Sequence, residues 1–183
     1  APDAVHAEKQ HMAEHYEVTP EVRHDGSLDV EEQIRFLFLG GEYTFVNRTI
    51  SAEFTDGVEI LSASMDGQEL PWGDEEGQFE VDYGRSRVRL RWRSAPTRDR
   101  AHDFNLRYRL KGVVRKGEGQ DWLAWAPFPK KFDYPILTGS VFLRWEPRME
   151  LRPQPHVDGP VTASVPIEDG VGPGVTNYRE RRA

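Results

Sequence analysis

Apolar and polar residues alternate along much of the chain, and a period of two is typical of β-strands. Over residues 28–38 every even-numbered position is apolar except Glu32, and most odd-numbered positions are polar. Residues 16–22 alternate in the same way, and an Asp25-Gly26 turn lies between the two runs. The pattern therefore predicts a hairpin whose apolar face organises the rest of the chain.

The same alternation predicts further strands downstream. They are expected at residues 44–54, 58–65, 79–83, 85–93 and 104–110. Asp66-Gly67 predicts a tight hairpin turn, and residues 94–102 are expected to form a loop. Many short strands without an intervening helix favour an all-β fold, an antiparallel β-sandwich of immunoglobulin-like or related type. We expect Phe36, Trp92 and Tyr108 to share its core, because each lies on the apolar face of its strand.

The chain divides into three segments by composition. Residues 1–14 contain good helix formers and are expected to be a short N-terminal helix or a tail. Residues 15–147 carry the alternating strands and are assigned to the β-sandwich domain. Residues 148–183 form a Pro/Gly-rich extension, in which one or two further strands are expected near residues 161–167 and 175–178.

The first segment contains a pattern that resembles a zinc-peptidase motif. His11-Met12-Ala13-Glu14-His15 matches H-x-x-E-H, in which two histidines one helical turn apart bind zinc and the glutamate acts as general base. The pattern stands at a polar terminus directly before a strand, without a catalytic helix or a further ligand. We therefore expect two solvated histidines, no metal site and no cofactor.

Charge is distributed unevenly along the chain. The net charge is −7, but residues 1–84 carry 20 acidic and 4 basic side chains, whereas residues 85–116 carry 12 basic and 2 acidic ones. Such asymmetry indicates either a basic patch for an anionic partner or oppositely charged strands side by side in one sheet. The chain has no cysteine, which excludes disulfides and thiolate chemistry, and it has no apolar run long enough to cross a bilayer.

The basic residues form the most regular surface feature. They are the candidate ligand-binding arginines Arg85, Arg87, Arg89, Arg91, Arg93, Arg107 and Arg109. The first five project from one face of a strand, so two interpretations are open. They lie beside the acidic strand faces of residues 16–35 or 78–82, or they form an open patch. The acidic excess elsewhere needs cationic neighbours, and we expect compensation.

Residues 120–135 interrupt the strand pattern with three prolines and five aromatic residues. Trp122 and Trp125 are candidate ligand-binding residues, because an aromatic loop can be a stacking platform for a sugar or a peptide. The other interpretation, which we favour, is a lid that closes one end of the sandwich core.

Glu32 lies on the apolar face of its strand, where a carboxylate is costly unless it is paired. Arg48 is a lone arginine among Phe45, Val46 and Ile50 and has the same problem. We predict a structural ion pair between Glu32 and Arg48. A functional site around the pair, or contact with solvent at a strand end, are the alternatives.

Several of these motifs together resemble the domain of unknown function 2207, a family of predicted membrane proteins with an extracytoplasmic N-terminal domain. The motifs are Tyr16-x-Val18, Asp25-Gly26-Ser27-Leu28-x-Val30-x-Glu32, Phe36-x-Phe38-x-Gly40, Arg48-x-Ile50, Asp66-Gly67, Phe104-x-Leu106-x-Tyr108-x-Leu110-x-Gly112 and Asp121-Trp122-Leu123-Ala124-Trp125. The resemblance implies a β-sandwich outside the membrane, at the periplasmic side or the cell surface. It implies membrane attachment only through a segment absent from this chain. The start at Ala1 suits a mature chain whose signal peptide has been removed.

The leading hypothesis is a non-catalytic extracytoplasmic domain of an envelope or membrane protein that acts in assembly or ligand recognition. The alternative is a binding module for an anionic or sugar polymer, which would use the arginine strands or the Trp122/Trp125 loop. A third hypothesis, an enzyme acting on sugar polymers, lacks a visible nucleophile–base pair or metal set. The partner is expected to be an unknown envelope protein or polymer, and no nucleic acid is expected.

Overall fold

The computed structural model describes residues 9–123, 125–128 and 134–145, and within these ranges the chain forms β-strands and no helix. The strands are β1 (Gln10–Val22), β2 (Leu28–Leu39), β3 (Tyr43–Ser51), β4 (Gly57–Met65), β5 (Gln68–Glu69), β6 (Phe79–Tyr83), β7 (Arg87–Thr97), β8 (Arg100–Lys111), β9 (Val114–Arg115), β10 (Trp122–Leu123), β11 (Gly139–Val141) and β12 (Arg144–Trp145). The predicted all-β class is confirmed.

The strands form two main sheets. The large sheet has the order β11-β1-β2-β8-β4-β5, with β12 also paired to β1, and the small sheet has the order β3-β7-β6. Strands β9 and β10 form a separate two-stranded ribbon. Pairing within the small sheet and among β1, β2, β8, β4 and β5 is antiparallel, whereas β11 and β12 run parallel to β1.

The predicted hairpin forms the centre of the large sheet. Strands β1 and β2 pair along their whole length, from Gln10 opposite Leu39 to Val22 opposite Leu28. The turn between them places Gly26 at φ +80°, a conformation that glycine adopts without a side-chain clash. All even-numbered residues from 28 to 38 are buried, so the alternation identified the core face correctly.

The core lies between the two sheets. Phe36, Trp92 and Tyr108 are almost completely buried and belong to one hydrophobic cluster, as the sequence predicted. Ring contacts join the two layers. Trp92 of β7 packs edge-on against Phe104 of β8, with ring centroids 5.4 Å apart. The fold is therefore a sandwich with an aromatic interior.

The expected loop at residues 94–102 was wrong. Strand β7 continues to Thr97, β8 begins at Arg100, and only Arg98 and Asp99 separate them. Asp99 has φ +49°, and its carboxylate accepts a hydrogen bond from the Gly40 N–H at 2.9 Å. The sharp corner carries the chain from the small sheet to the large one. A local pattern shows neither how far pairing extends a strand nor which sheet the strand joins.

The short helix or tail expected for residues 1–14 was also wrong over residues 10–14, which belong to β1. Pairing with β2 on one side and with residues 135–137 on the other gives this segment backbone partners that outweigh its local helix propensity. The predicted boundary between residues 14 and 15 therefore falls inside a strand. Residues 1–8 and the C-terminal extension, including its expected strands, lie outside the described residues.

Candidate functional site

A buried polar network joins the two sheets. Arg48 of β3 donates two hydrogen bonds to Glu32 of β2, from Nε to Oε2 at 2.8 Å and from Nη2 to Oε1 at 2.7 Å. Tyr16 and Tyr108, on the strands that flank β2, donate their hydroxyl protons to the same carboxylate at 2.5 and 2.8 Å. Glu32 is 0% exposed and Arg48 is 6% exposed. The predicted ion pair is present, and the two tyrosines were not predicted as its partners.

The electrostatics of this network favour a closed structural role. Burial, together with the negative charge of Glu32, raises the pKa of both Tyr16 and Tyr108 well above its usual value, so both hydroxyls remain donors. Burial lowers the pKa of Arg48, but the neighbouring carboxylate outweighs it and the guanidinium stays charged. Both carboxylate oxygens of Glu32 accept two hydrogen bonds, which offsets the cost of burying the charge.

The outer face of the small sheet carries the arginine row of β7. Arg91 and Arg93 contact Glu80 of β6 at 3.3 and 2.8 Å. Hydrogen bonding from Arg93 lowers the pKa of Glu80 below its usual value. The predicted compensation by residues 78–82 is confirmed for these two arginines.

The acidic face of residues 16–35 compensates an arginine of a different strand. Arg109 of β8 pairs with Asp29 of β2 at 2.6 Å, and this hydrogen bond lowers the pKa of Asp29. Strand β7 does not border β2, because the two strands belong to different sheets. The idea that residues 16–35 compensate residues 85–93 was therefore wrong.

Arg87 and Arg89 at the start of β7, and Arg85 in the turn before the strand, lack such partners. Within the described part of the chain, Arg85, Arg87 and Arg89 form no ion pair, and neither does Arg107 on β8. Arg89 lies between Asp82 of β6 and Thr49 of β3 in register, but its guanidinium does not reach that carboxylate. The expected full compensation was wrong for this end of the row.

The two candidate residues of the tryptophan loop lie in different environments. Trp122 lies on β10 and is 53% exposed, whereas Trp125 is half-buried and packs against the core cluster. Phe128 packs edge-on against Tyr16, and Tyr134 is buried against Phe36 with ring centroids 4.7 Å apart. These contacts are typical of a cover over the core, as the lid interpretation expects, and leave Trp122 as an exposed aromatic residue.

A bulge in β1 separates the two histidines of the H-x-x-E-H pattern. The register shifts between Ala13 and His15, so His11 faces the aromatic cluster, with its ring centroid 5.4 Å from that of Tyr43. His15 points outward and lies 3.7 Å from Glu17, while Glu14 contacts Arg35 at 3.4 Å. In a helix the two imidazoles would share a face, whereas this bulged strand places them on opposite faces.

Two further features of the structure have no signal in the local sequence pattern. Buried His102 contacts Asp66 at 2.5 Å and Thr97 at 3.0 Å, which ties the β7–β8 corner to the β4–β5 turn. A cleft of about 240 Å³ lies along the start of β3. Its lining residues are Lys9, His11, Tyr43, Thr44, Phe45, Val46, Asn47 and Tyr134. No local pattern connects these residues, because they come from three distant parts of the chain.

No group of three or more histidine, aspartate or glutamate side chains is arranged as a metal site within the ranges that the structure describes. A helix long and apolar enough to span a bilayer is also not found in those ranges.

The fold and the closed polar network define a β-sandwich domain, and comparison of the sequence gives its family. A family model described as "Predicted membrane protein (DUF2207) N-terminal domain" matches residues 12–164. The chain belongs to this family, as its motifs suggested. A search of curated proteins gave no match.

Solved structures share the fold at low sequence identity. Native yeast LTA4 hydrolase matches with a TM-score of 0.57 and 11% identity, over 98% of this chain and 30% of the hydrolase. An M1 zinc metallopeptidase from Deinococcus radiodurans matches with a TM-score of 0.51 and 11% identity, over 94% of this chain and 40% of the peptidase. The chain thus spans less than half of these proteins, and the likeness shows the fold alone.

Proposed function

We propose that this chain is a non-catalytic, extracytoplasmic recognition domain of a membrane protein. Membership in a family of predicted membrane proteins supports the attachment. The observation that carries the recognition role is the distribution of charge. The buried ionisable groups of the Glu32 network form hydrogen bonds and an ion pair with one another. The arginines without an ion pair lie instead on the outer face of the small sheet. Chemistry needs an accessible reactive group, and recognition needs an accessible surface.

Cysteine labelling in intact cells tests the location. These 183 residues contain no cysteine, so a cysteine introduced at exposed Gln68 adds a new site for a membrane-impermeant maleimide, and the unsubstituted full-length protein measures the background. Cysteine at Ala63, which is 1% exposed on the neighbouring strand, is the matched control and should react only after denaturation. We expect labelling at position 68 in intact cells. Labelling only after lysis would contradict the extracytoplasmic side.

A second candidate function is binding of an anionic polymer, and the unpaired end of the arginine row favours it. Unpaired guanidinium groups on an exposed sheet face bind sulfate or carboxylate groups with a strong dependence on salt, because binding releases counterions. The partial compensation by Glu80 restricts the candidate residues to Arg85, Arg87 and Arg89.

Titration with heparin at low and moderate salt tests this candidate. Arg87→Glu/Arg89→Glu changes the row, and Arg98→Glu/Arg100→Glu, at two exposed positions, makes the same change in net charge away from it. If the row is a site, the first variant should weaken binding at low salt by about tenfold or more, and the second should change it little. Equal effects of the two variants would show that only net charge matters.

A further inference from the structure

We propose that the free edge of β3 binds an extended segment of a partner protein, with acidic side chains on its outward face, as an added strand of the small sheet. The inference rests on the proposed recognition function and specifies its surface and partner. In this mode backbone hydrogen bonds supply affinity, and pockets for alternate side chains supply specificity.

The alternation of hydrogen bonds in the small sheet shows which backbone groups of β3 face the free edge. Ala52 N–H donates to Ser86 C=O at 2.9 Å, and Gly84 N–H donates to Arg87 C=O at 2.9 Å. Antiparallel ladders alternate in direction, so Val46, Arg48 and Ile50 bond to β7. The N–H and C=O groups of the residues between them point away from β7. These residues are Phe45, Asn47, Thr49 and Ser51.

The edge-facing groups are unpaired with other backbone groups of the described residues. The Thr49 carbonyl is the exception with a side-chain partner, since it accepts a hydrogen bond from Arg48 Nη1. A row of free N–H and C=O groups is a template for another strand. At nine residues, β3 is long enough to pair with a peptide over several residues.

The other long edges are covered or interrupted. Strands β11 and β12 cover β1, while β5 and a bulge between Ile60 and Ser62 interrupt the edge of β4. Strand β6 has only five residues and carries two acidic side chains. Its first residue, Phe79, also forms a backbone β-bridge with Trp72. Proteins protect edges in these ways to prevent unwanted pairing. From Phe45 to Ser51, β3 carries no proline, and its single charge, Arg48, points inward and is paired.

The side chains beside the edge specify the partner. In register, Thr49 lies opposite Arg89 and Ser51 lies opposite Arg87, so short side chains separate the unpaired guanidinium groups from the edge. An added strand would lie about 10 Å from β7, two strand spacings away. Extended arginine and glutamate side chains can span this distance together. Acidic outward residues on the partner would therefore neutralise Arg87 and Arg89.

The cleft at the start of β3 supplies a pocket for the same partner. It opens between the edge residues and the beginning of β1, where Lys9 lies 4.2 Å from the centre of the Tyr43 ring. An added strand that passes Phe45 would bring one side chain to this opening. Its volume of about 240 Å³ suits one large side chain.

Amide hydrogen exchange on the 183-residue chain tests whether the edge is free. The amides of Phe45, Asn47 and Thr49 should exchange rapidly, and those of Val46, Arg48 and Ile50 slowly. A synthetic peptide that alternates glutamate with valine and threonine should slow the first set. Edge amides that are protected at every protein concentration would show that the chain itself covers β3. Protection that grows with protein concentration would show a second copy there. Either result would overturn the proposal.

Matched peptides and variants then test the mode of binding by fluorescence anisotropy. A peptide with lysine in place of glutamate, and Arg87→Glu/Arg89→Glu with the original peptide, should each weaken binding on the order of tenfold. Thr49→Pro removes an edge N–H and should abolish binding, whereas Thr49→Val retains it. If Thr49→Pro does not fold, N-methylation of alternate peptide amides blocks the same pairing from the other side.

Binding that survives N-methylation in both alternate registers would overturn strand addition, and so would the absence of any peptide binding. The location experiment distinguishes this failure from failure of the proposed function. A labelled cysteine at position 68 in intact cells would leave the recognition domain in place even if the peptide does not bind. Labelling only after lysis would contradict the extracytoplasmic location but would not affect the result of the hydrogen-exchange experiment.

Discussion

Glu32 is the residue on which the polar interior depends. It is fully buried, yet three side chains from three other strands donate hydrogen bonds to it. Two come from the large sheet and one from the small sheet, so the carboxylate connects both layers of the sandwich. Such a cluster is costly to break, because removal of one member leaves the others buried without a partner.

Removal of the cation should therefore destabilise the protein strongly. Arg48→Leu leaves Glu32 buried without its counter-ion and should cost about 3–5 kcal/mol in the free energy of unfolding. Arg48→Lys keeps the charge but loses the bidentate geometry, so a smaller loss is expected. Urea unfolding monitored by circular dichroism measures both.

A double variant tests whether the buried charge is the cause. Glu32→Gln/Arg48→Leu keeps an acceptor for the tyrosine hydroxyls without a buried charge, and it should recover part of the stability that Arg48→Leu loses. A loss of less than about 1 kcal/mol for Arg48→Leu alone would show that the pair is not a structural requirement.

The two tyrosines should make stability sensitive to alkaline pH. Burial raises the pKa of Tyr16 and Tyr108 in the folded protein, whereas in the unfolded chain each loses its proton near pH 10. Above that pH the unfolded state binds fewer protons than the folded state, so stability falls as pH rises towards the folded pKa values. The slope is about 1.4 kcal/mol per pH unit for each tyrosine.

Tyr108→Phe removes one of these titrations. The variant should be less stable than the parent by about 1 kcal/mol at pH 8, because a hydrogen bond to Glu32 is lost. The difference in unfolding free energy between the variant and the parent should shrink or reverse between pH 10 and 12 in urea unfolding experiments. A constant difference across this range would contradict the assigned direction of the tyrosine pKa.

At the scale of elements, turns and bulges determine where each strand directs its side chains. Asp66-Gly67 forms the predicted tight turn, with φ +50° and +79°. Gly112 directly follows β8, has φ +63° and lies against Asp56. Both glycines adopt a conformation that is unfavourable for other residues, but their surroundings differ.

This difference gives a matched pair of substitutions. A Cβ at Gly67 would have no atom within 4 Å, whereas a Cβ at Gly112 would lie 2.9 Å from Asp56 Cβ and closer still to its carboxylate. Gly67→Ala should therefore cost about 1 kcal/mol from backbone strain, and Gly112→Ala clearly more. Thermal unfolding compares the two. Equal losses would show that the contact with Asp56 has no energetic effect.

The bulge in β1 leads to a prediction about metal binding. Since His11 and His15 lie on opposite faces, the H-x-x-E-H pattern lacks the shared face that zinc ligation requires. After addition of one equivalent of zinc and dialysis, elemental analysis should find far less than stoichiometric metal. His11→Ala is the control. Stoichiometric retention that disappears in this variant would show that the pattern binds zinc.

At the scale of the whole molecule, one aromatic core holds the two sheets together. Phe36 belongs to the large sheet and Trp92 to the small sheet, and Phe104 contacts both rings at about the same distance, 5.5 and 5.4 Å. The sheets therefore share their interior, and neither has a separate core.

Truncation on either side of this core should destabilise the whole sandwich. Phe36→Ala and Trp92→Ala should each cost about 3–5 kcal/mol, from lost burial and the cavity left behind. Both variants should unfold in a single transition that is the same by circular dichroism and tryptophan fluorescence. A variant that melts within a degree or two of the parent, or two separate transitions, would contradict a shared core.

The sequence by itself determined most of the strands and their inner faces, because a period of two is a local property of the chain. It identified the hairpin of β1 and β2 and the face of Trp92. It also indicated the Glu32–Arg48 pair, since two lone charges on apolar faces need each other. These inferences depend on alternation alone.

Tertiary structure decided what depends on pairing between distant residues. The sheet that each strand joins, the extension of β7 to Thr97 and the conversion of residues 10–14 to strand all follow from backbone partners far away in sequence. Which arginines of the row have an acidic partner also depends on neighbours that are far away in sequence. Glu80 lies next to Arg91 and Arg93 because β6 pairs with that part of β7. Asp82 lies opposite Arg89 in register without forming an ion pair with it, and β6 ends before Arg87.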